Sequence, residues 1–279
     1  MSESAVSESA VSESAVSGSA VSESAVSSAA ARFHHDRPGT PESHWAGSPV
    51  LAGVPELVVP SHVHLTVLAA HPDDETLAAA GLIRAVRRAG GSVDVVLASD
   101  GEASHPGSLS WTPDRLVAER RRELAAALRC LGDGIAVEGL GLPDGGLEAH
   151  ADDLGARLEP IVRRRPNVEH WLAAPWRRDG HPDHDTAGRV AAELAPAVGA
   201  RLLEFPIWFW HWGADTDPRM PWPRLRRLHL DASGRRAKRA AIAQHRTQVE
   251  PLSDAPGDEV LLPPDVLAHF VRRFELFVV

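Results

Sequence analysis

The chain has 279 residues, of which 43% are hydrophobic, and this allows one large domain or two smaller ones with a sizeable core. Its formal net charge of −9 argues against a general nucleic-acid-binding surface. The single cysteine, Cys130, excludes an intramolecular disulfide, and no apolar run approaches the ~20 residues that span a bilayer, so we expect a cytoplasmic protein.

The N-terminal region differs in composition from the rest of the chain. Residues 2–26 repeat the pentapeptide SESAV, varied once to SGSAV. Their few valines cannot bury enough area to offset the entropy of ordering, so we expect a disordered tail over residues 1–30. Residues 31–60 are predicted to form an extension or linker, in which His34, His35 and His44 are solvated and residues 54–57 pack onto the domain.

From residue 61 onward, apolar strand-like runs alternate with helical patterns. Residues 63–69 form the first predicted strand, which ends at His71-Pro72 because proline cannot donate to a strand ladder. The following predicted elements are a helix over 73–89, a strand over 93–98, a helix over 113–131, a strand over 135–140, a helix over 153–164, a strand over 170–174, a helix ending at 194 and a strand over 201–207. This alternation predicts a Rossmann-like, doubly wound α/β domain over residues 61–279, with a mostly parallel sheet between two helical layers.

Two segments rich in histidine and aspartate follow predicted strands: AHPDDE at residues 70–75 follows the first strand, and HPDH at residues 181–184 follows the fourth. A doubly wound sheet binds ligands beyond the carboxyl ends of its strands, where these two strands are neighbours. We therefore expect both segments to meet in one crevice. An alternative, in which the carboxylates of residues 73–75 serve only as helix-capping and dipole partners, explains neither His71 nor HPDH.

The crevice would hold nitrogen and oxygen donors of the kind that bind a metal. A catalytic zinc site uses three protein ligands, and His71, Asp74 and His184 make such a set. We expect one divalent ion at these residues; zinc is our choice, while iron, cobalt or manganese also accept such donors. If Asp74 is a ligand, Asp73 is free to act as a general base towards the attacking water.

Together, AHPDDE and HPDH resemble the motifs of the PIG-L or LmbE-like family of zinc-dependent N-acetylglucosaminyl deacetylases. Weaker similarities are SDGE at 99–102, LPD at 142–144 and HRTQ at 245–248. The resemblance implies metal ligands at His71, Asp74 and His184 and a general base at Asp73. It also implies a hydrolase that removes an N-acetyl or related acyl group from an amino sugar or its conjugate, such as an N-acetylglucosamine derivative.

Two further residues of the second motif have expected catalytic roles. His181 either stabilises the developing oxyanion or protonates the departing amine. Asp183 is expected to hold His181 and keep it charged, as a carboxylate behind a histidine commonly does. A turn histidine that only packs is the alternative for His181.

The substrate contacts rest on weaker signals. Asp144, in LPDGG, either bonds a sugar hydroxyl or forms an ordinary turn. His245 and Gln248 lie three residues apart on a late predicted helix and face either the substrate or solvent. The aromatic segment 207–212 forms either a stacking wall for a sugar or a buried strand end. Some relatives place a tyrosine just before the second motif, where this chain, which lacks tyrosine, has Asp-Gly at residues 179–180.

Three other classes of protein are compatible with parts of this sequence. A nucleotide-binding Rossmann protein would carry GxGxxG after its first strand, where this chain has HPDDET. A non-catalytic metal-binding protein on the same fold would need no base, so Asp73 argues against that class. An amidase acting on a thiol-conjugate amide would use the same metal chemistry. Metal content and acetate release from N-acetylglucosamine derivatives distinguish these classes.

Deletion of residues 1–30 should leave the stability of the protein nearly unchanged, because their composition cannot form a core. We expect the truncated and full-length proteins to share the same melting temperature in a thermal unfolding measurement. A large decrease in the truncated protein would show that the repeat docks on the domain.

Overall fold

The computed structural model describes Met1, residues 37–165 and residues 167–279. Residues 2–30 of the expected disordered tail, together with His34 and His35 of the predicted extension, lie outside the described residues. Arg32–Val279 form one structural unit, whose described part is considered below. Within this part of the chain, none of the helices combines the length and the apolar character of a membrane span.

One sheet of seven strands lies at the centre of the described domain. The strands are His64–Ala69 (β1), Ser92–Ser99 (β2), Ile135–Leu142 (β3), His170–Pro175 (β4), Arg201–Phe205 (β5), Leu225–His229 (β6) and Phe274–Val278 (β7). Their order is β3-β2-β1-β4-β5-β7-β6. Strands β1 to β5 run parallel, whereas β7 is antiparallel to β5 and β6. The strand order reverses between β1 and β4, which confirms the predicted doubly wound α/β fold.

Helices cover both faces of the sheet. The helices of the described chain are Glu42–Gly47 (α1), Pro49–Ala52 (α2), Asp74–Arg88 (α3), Pro113–Leu131 (α4), Ala151–Val162 (α5), Pro182–Val198 (α6), Phe209–Trp212 (α7), Ala232–Ile242 (α8), Arg246–Val249 (α9) and Pro264–Ala268 (α10), with 3₁₀ turns at Leu147–His150 and Trp222–Arg224. Helices α3, α4 and α8 pack on one face, and α5 and α6 pack on the other. The result is the predicted three-layer arrangement.

Strand β1 is buried on both faces, as the parallel-sheet prediction requires. Leu65 and Val67 pack with the α3, α4 and α8 layer, whereas Leu68 packs with the α5 and α6 layer. Alternate side chains of a strand point to opposite faces, so both helical layers are fixed to the same strand. The carboxyl end of β1 therefore delivers the AHPDDE segment to a fixed place between the layers.

The C-terminal part of the sheet differs from the prediction. Strand β5 ends at Phe205 instead of continuing to residue 207, because Pro206 interrupts the ladder and the N–H of Ile207 turns to the Asp179 carboxylate. Strands β6 and β7 have no counterpart in the predicted elements. Each has only 5 residues, and such short segments carry little periodicity.

The described part of the predicted extension packs into the hydrophobic core. Trp45 is only 1% exposed, and its indole N–H donates to the carbonyl of Trp210 at 2.7 Å. The N–H of Leu57 donates to the carbonyl of Arg227, in β6, at 2.7 Å. The packed domain therefore reaches N-terminal of residue 61.

We expect Trp45→Ala to lower the free energy of unfolding by ~3–5 kcal/mol, because it leaves a cavity that neighbouring side chains fill only in part. Denaturant unfolding measures this change. Val58→Ala is the matched control, since Val58 is 76% exposed, and it should change the free energy by less than ~0.5 kcal/mol. Equal stability of the two variants would contradict the packing of the extension.

Candidate functional site

The first motif forms a tight turn between β1 and α3. Asp74 Oδ2 accepts the N–H groups of Ala70 and His71 at 2.8 and 3.0 Å. Its other oxygen, Oδ1, lies 3.3 Å from His184 Nε2 of the second motif. Asp73, the residue at the helix N-cap, makes no side-chain capping hydrogen bond. Asp73 therefore does not cap α3 through its side chain, and the expected meeting of the two motifs is confirmed.

Asp73 has an unusual backbone conformation. Its φ of 152° and ψ of −23° are unfavourable for a residue with a Cβ atom. The turn holds it there: its N–H donates to Glu75 Oε2 at 3.2 Å, and its carbonyl accepts from Thr76 and Leu77 at 2.9 and 2.8 Å. The Asp73 carboxylate lines the cavity, 3.5 Å from the Arg120 guanidinium. Burial raises the pKa of Asp73 to about 7, against the opposing charge of Arg120.

Asp179 fixes the ring of His184. Its Oδ2 lies 2.7 Å from His184 Nδ1, and the same carboxylate accepts the N–H groups of Ile207, Trp208 and Phe209 at 2.7, 3.0 and 3.1 Å. Because Nδ1–H donates its hydrogen bond to this carboxylate, the lone pair of the neutral ring lies on Nε2. Nε2 is buried and has no hydrogen-bond partner among the described residues.

His71 lies between two carboxylates. Its Nε2 is 3.1 Å from Asp144 Oδ1 and 3.2 Å from Asp183 Oδ2. Asp183 also accepts the N–H groups of Gly145 and Leu147 at 2.8 and 3.1 Å. Burial alone would lower the pKa of His71, but the hydrogen bonds with Asp144 and Asp183 outweigh it and raise the pKa to about 9.

The predicted ligands His71, Asp74 and His184 fit a divalent ion. Each offers one donor atom, and these atoms lie within 4.8 Å of one another. The buried Nε2 of His184 makes no hydrogen bond among the described residues and faces Asp74 Oδ1 at 3.3 Å, so the two atoms are placed to share one ion. A second group with the same spacing, His71, His181 and Asp183, fits less well, because both oxygens of Asp183 already accept backbone N–H groups.

His181 caps helix α6. Its Nδ1 accepts the N–H of Asp183 at 3.2 Å, so a neutral ring carries its proton on Nε2. Burial and the neighbouring His184 lower the pKa of His181 well below its ordinary value. The predicted role of Asp183, to hold His181 in the charged form, is corrected here: Asp183 contacts this ring through its backbone N–H, and its carboxylate lies against His71.

The predicted substrate contacts divide into two groups. Asp144 and Gln248 line the cavity, although Asp144 is more than a turn residue because its carboxylate also binds His71. His245 is 1% exposed, and its Nε2 lies 3.1 Å from Thr76 Oγ1, behind the start of α3. The structure therefore does not place His245 against a substrate. Helix α9 begins only after His245, so the expected shared helical face does not exist.

The site opens into a cavity of about 300 Å³. Leu77, Ile207 and Leu261 contribute an apolar wall, and the charged and histidine side chains that line the cavity are His71, Asp73, Asp74, Arg120, Asp144, His181 and His184. Trp208 also lines it, whereas Phe209 is fully buried behind it. The aromatic segment thus contributes a cavity wall through Trp208, and the strand-end alternative is wrong, because β5 ends at Phe205 and Phe209–Trp212 form α7.

Two site residues escaped the sequence-based predictions. Arg120 is 3% exposed, and its guanidinium donates to the carbonyls of Gly101 and Pro72 at 2.9 and 3.0 Å, which joins the loops after β1 and β2. In the sequence, Arg120 could be recognised only as an arginine four residues after Leu116, on the face of the helix that is buried. For Asp179, the signal was an acidic residue two positions before the HPDH segment.

The PIG-L family model, described as GlcNAc-PI de-N-acetylase, matches residues 66–195. This segment contains both motifs and all three candidate metal ligands. Residues 66–195 therefore match the PIG-L family. The resemblance read from AHPDDE and HPDH is therefore confirmed.

Curated relatives match part of this chain. A 1D-myo-inositol 2-acetamido-2-deoxy-alpha-D-glucopyranoside deacetylase from Nakamurella multipartita is 33% identical over 147 residues, which cover 50% of this chain and 45% of the relative. A protein of the same name from Nocardia farcinica is 30% identical over 194 residues, with 62% of each chain covered. The chain thus spans about half to three fifths of the length of these relatives.

Solved structures share the fold of this chain. An N,N'-diacetylchitobiose deacetylase from Pyrococcus horikoshii matches with a TM-score of 0.51 at 20% identity, covering 68% of this chain and 72% of that chain. The zinc-inhibited form of the teicoplanin deacetylase Orf2 matches with a TM-score of 0.52 at 14% identity, covering 67% and 85%. At these identities the likeness concerns the fold alone.

We expect His184→Ala and Asp74→Asn to lose bound metal, because an amide is a poorer ligand than a carboxylate and alanine offers no donor. Asp73→Asn is the matched control next to Asp74, and it should keep the metal. Metal content after dialysis, measured by elemental mass spectrometry, decides between these outcomes. Full metal retention by His184→Ala would contradict the ligand set, and loss of metal from Asp73→Asn alone would reverse the roles of the two aspartates.

Proposed function

We propose that this protein is a metal-dependent hydrolase, with zinc as the preferred ion, that removes the acetyl group from the nitrogen of an N-acetylglucosamine conjugate. The proposal rests on one observation: a metal-ligand set and a separate carboxylate, Asp73, face the same cavity in a PIG-L domain. The names of the curated relatives favour an N-acetylglucosaminyl inositol as the substrate.

His71, Asp74 and His184 would hold the ion. Bound there, a divalent metal supplies a Lewis acid that polarises the amide carbonyl and makes water easier to deprotonate. Asp179 keeps the His184 ring in one tautomer and one orientation. The N–H groups of Ala70 and His71 fix Asp74 in the same way, so the ligand set is rigid before the ion binds.

Asp73 is the general base of the proposed reaction. The turn positions it through its backbone, and its carboxylate lies on the cavity wall beside Arg120. It takes the proton of the attacking water as the water oxygen bonds to the acetyl carbon. It then returns this proton to the departing sugar nitrogen when the carbon–nitrogen bond breaks, so that acetate and a primary amine leave.

His181 is the proposed oxyanion donor. Its Nδ1 accepts the N–H of Asp183, so a neutral ring carries its proton on Nε2, and we infer that this N–H donates to the negative charge that develops on the acetyl oxygen. A neutral imidazole with a fixed proton is suited to donating a hydrogen bond. Of the two roles that the sequence left open, this geometry favours stabilisation of the oxyanion.

The cavity suits one sugar ring. Its volume of about 300 Å³ lies at the lower end of the ~300–1,000 Å³ of small-molecule pockets. Trp208 offers an aromatic face to the ring, and Asp144 and Gln248 offer hydrogen-bonding groups to its hydroxyls. We infer that the acetylated amino sugar enters this cavity and that any attached group remains outside it.

The decisive experiment is a substrate panel with the zinc-loaded protein. The panel contains N-acetylglucosamine, N-acetylglucosaminyl inositol, N,N'-diacetylchitobiose and an N-acetylated thiol conjugate, and the measured products are acetate and primary amine. We expect hydrolysis of at least one amino-sugar substrate. Asp73→Asn should lower kcat by ~10²–10⁴-fold with metal still bound, whereas Asp152→Asn, at an exposed aspartate of α5, should have no effect.

Each other outcome of this panel has a defined meaning. Hydrolysis of the thiol conjugate alone would replace the sugar deacetylase proposal by the amidase alternative. Full kcat in Asp73→Asn would remove Asp73 as the base. No hydrolysis of any substrate by the metal-loaded protein would contradict the proposed function.

A further inference from the structure

The peptide unit between Pro72 and Asp73 is held at both of its polar ends by buried side chains. Its carbonyl oxygen accepts a hydrogen bond from the Arg120 guanidinium at 3.0 Å, and its N–H donates to Glu75 Oε2 at 3.2 Å. Both side chains are buried. The orientation of this peptide unit determines φ of Asp73, because φ is the rotation about the bond between the peptide nitrogen and Cα. The two side chains therefore hold the strained φ of 152°.

On the other side of Asp73, the backbone already has helical geometry. Its ψ is −23°, and its carbonyl oxygen accepts the N–H groups of Thr76 and Leu77 at 2.9 and 2.8 Å. Only φ separates Asp73 from an ordinary helical residue. If the preceding peptide unit turned over, Asp73 would join α3 without strain. The allowed directions of a side chain depend on φ, so the carboxylate would then lose the direction in which it lines the cavity.

Glu75 is held from behind by two further polar side chains. Its Oε1 accepts the hydroxyl of Thr76 at 2.5 Å, and the Thr76 oxygen lies 3.1 Å from Nε2 of His245. Because the Thr76 hydroxyl donates its proton to Glu75, its oxygen accepts from His245, whose Nε2 carries the ring proton. Thr76 and His245 are both buried. His245 thus supports the first motif from behind instead of facing the cavity.

An ordinary capping box does not explain this arrangement. In a capping box, an acidic side chain in the first helical turn accepts the N–H of the N-cap residue, whose backbone is typically extended and unstrained. The φ of Asp73 excludes that geometry. Glu75 is also completely buried beside two other buried carboxyl groups, those of Asp73 and Asp74, and such burial costs free energy. Strain and costly burial in one turn point to a functional constraint.

We propose that Glu75 is a positioning residue for the proposed general base. By accepting the N–H of Asp73, it prevents the peptide unit before Asp73 from turning over and keeps the carboxylate on the cavity wall. Thr76 and His245 hold Glu75 in place, and Arg120 holds the opposite end of the peptide unit. This inference rests on the proposed deacetylase function, which assigns the base to Asp73. Glu75 itself does not line the cavity.

Steady-state kinetics of the full-length, zinc-loaded protein test the positioning role, with N-acetylglucosaminyl inositol as the substrate. Glu75→Met keeps a similar volume but offers no acceptor of similar strength to the Asp73 N–H. It should lower kcat by about 10²-fold, because a small displacement of a catalytic group is sufficient for such a loss. KM and the metal content should remain nearly unchanged. Glu75→Gln should keep most of kcat, because its carbonyl oxygen can accept the same N–H.

Three outcomes of this comparison would overturn the proposal. An unchanged kcat in Glu75→Met would show that the acceptor is not needed. Equal losses of kcat in Glu75→Met and Glu75→Gln would show that the side chain does not act by accepting this hydrogen bond. Loss of metal from Glu75→Met would show that Glu75 supports the ligand Asp74 instead of the base.

Thr76→Val and Thr76→Ser test the support behind Glu75. Valine keeps the shape of threonine but lacks the hydroxyl, whereas serine keeps the hydroxyl. We expect Thr76→Val to lower kcat with the metal still bound, and Thr76→Ser to lower it much less. Equal kcat in the two variants would overturn the assignment of Thr76 and His245 to this support.

Thermal unfolding of the full-length protein at one zinc concentration tests the hold on Asp73 without any turnover. Asp73→Gly and Asp73→Ala both lack the carboxylate, but only alanine keeps a Cβ atom at the strained φ. With Glu75 present, we expect Asp73→Gly to have the higher melting temperature. Combined with Glu75→Met, the difference between the two variants should shrink by about 2–4 °C, because alanine can then relax.

This comparison separates failure of the positioning role from failure of the proposed function. If the zinc-loaded protein deacetylates no substrate, the proposed function fails, and the melting temperatures still decide whether Glu75 holds the strained turn. The same difference between glycine and alanine at position 73, with and without Glu75→Met, would overturn the proposal.

Discussion

The buried carboxylate of Asp179 is the interaction on which the rest of the site depends. It bonds Nδ1 of His184 on one side and accepts three consecutive backbone N–H groups, from residues 207–209, on the other. The orientation of a candidate metal ligand and the position of the Trp208 wall are therefore set by the same two oxygen atoms. Burial makes this arrangement rigid, because removing the carboxylate would leave several polar groups unpaired at a cost of ~1–3 kcal/mol each.

The catalytic residues and the walls around them come from different parts of the chain. Every candidate ligand and acid–base residue lies within residues 66–195, the segment that matches the PIG-L family. The walls come from both parts of the chain: Leu77 and Pro106 lie inside this segment, and Trp208, Gln248 and Leu261 lie outside it. The N-terminal extension supports one wall from behind, since Trp45 bonds the Trp210 carbonyl. The candidate catalytic residues thus come from the family segment alone, whereas the cavity walls combine this segment with its flanks.

Much of the fold and the centre of the site follow from local sequence. Alternating apolar runs specify a parallel sheet, and strand order alone brings AHPDDE and HPDH together. The remaining features depend on contacts between distant residues, which periodicity does not encode. The role of Asp179 depends on its hydrogen bonds to residues 207–209, which are distant in sequence. The contact between Asp183 and His71 likewise involves the LPDGG loop, whose Gly145 N–H donates to the Asp183 carboxylate. His245 was expected on the helical face of Gln248, but the late start of α9 separates them.

Stability and function place opposite demands on the residue at position 73. Its φ of 152° would suit glycine, and a glycine there would relieve strain of ~1–3 kcal/mol. The same change would remove the Asp73 carboxylate that lines the cavity. Selection for thermal stability alone would therefore favour loss of the candidate base. Engineering of a more stable variant therefore has to keep aspartate at position 73. Conversely, we expect Asp73→Gly to be a stable variant without the candidate base, in which ligand binding can be measured separately from hydrolysis.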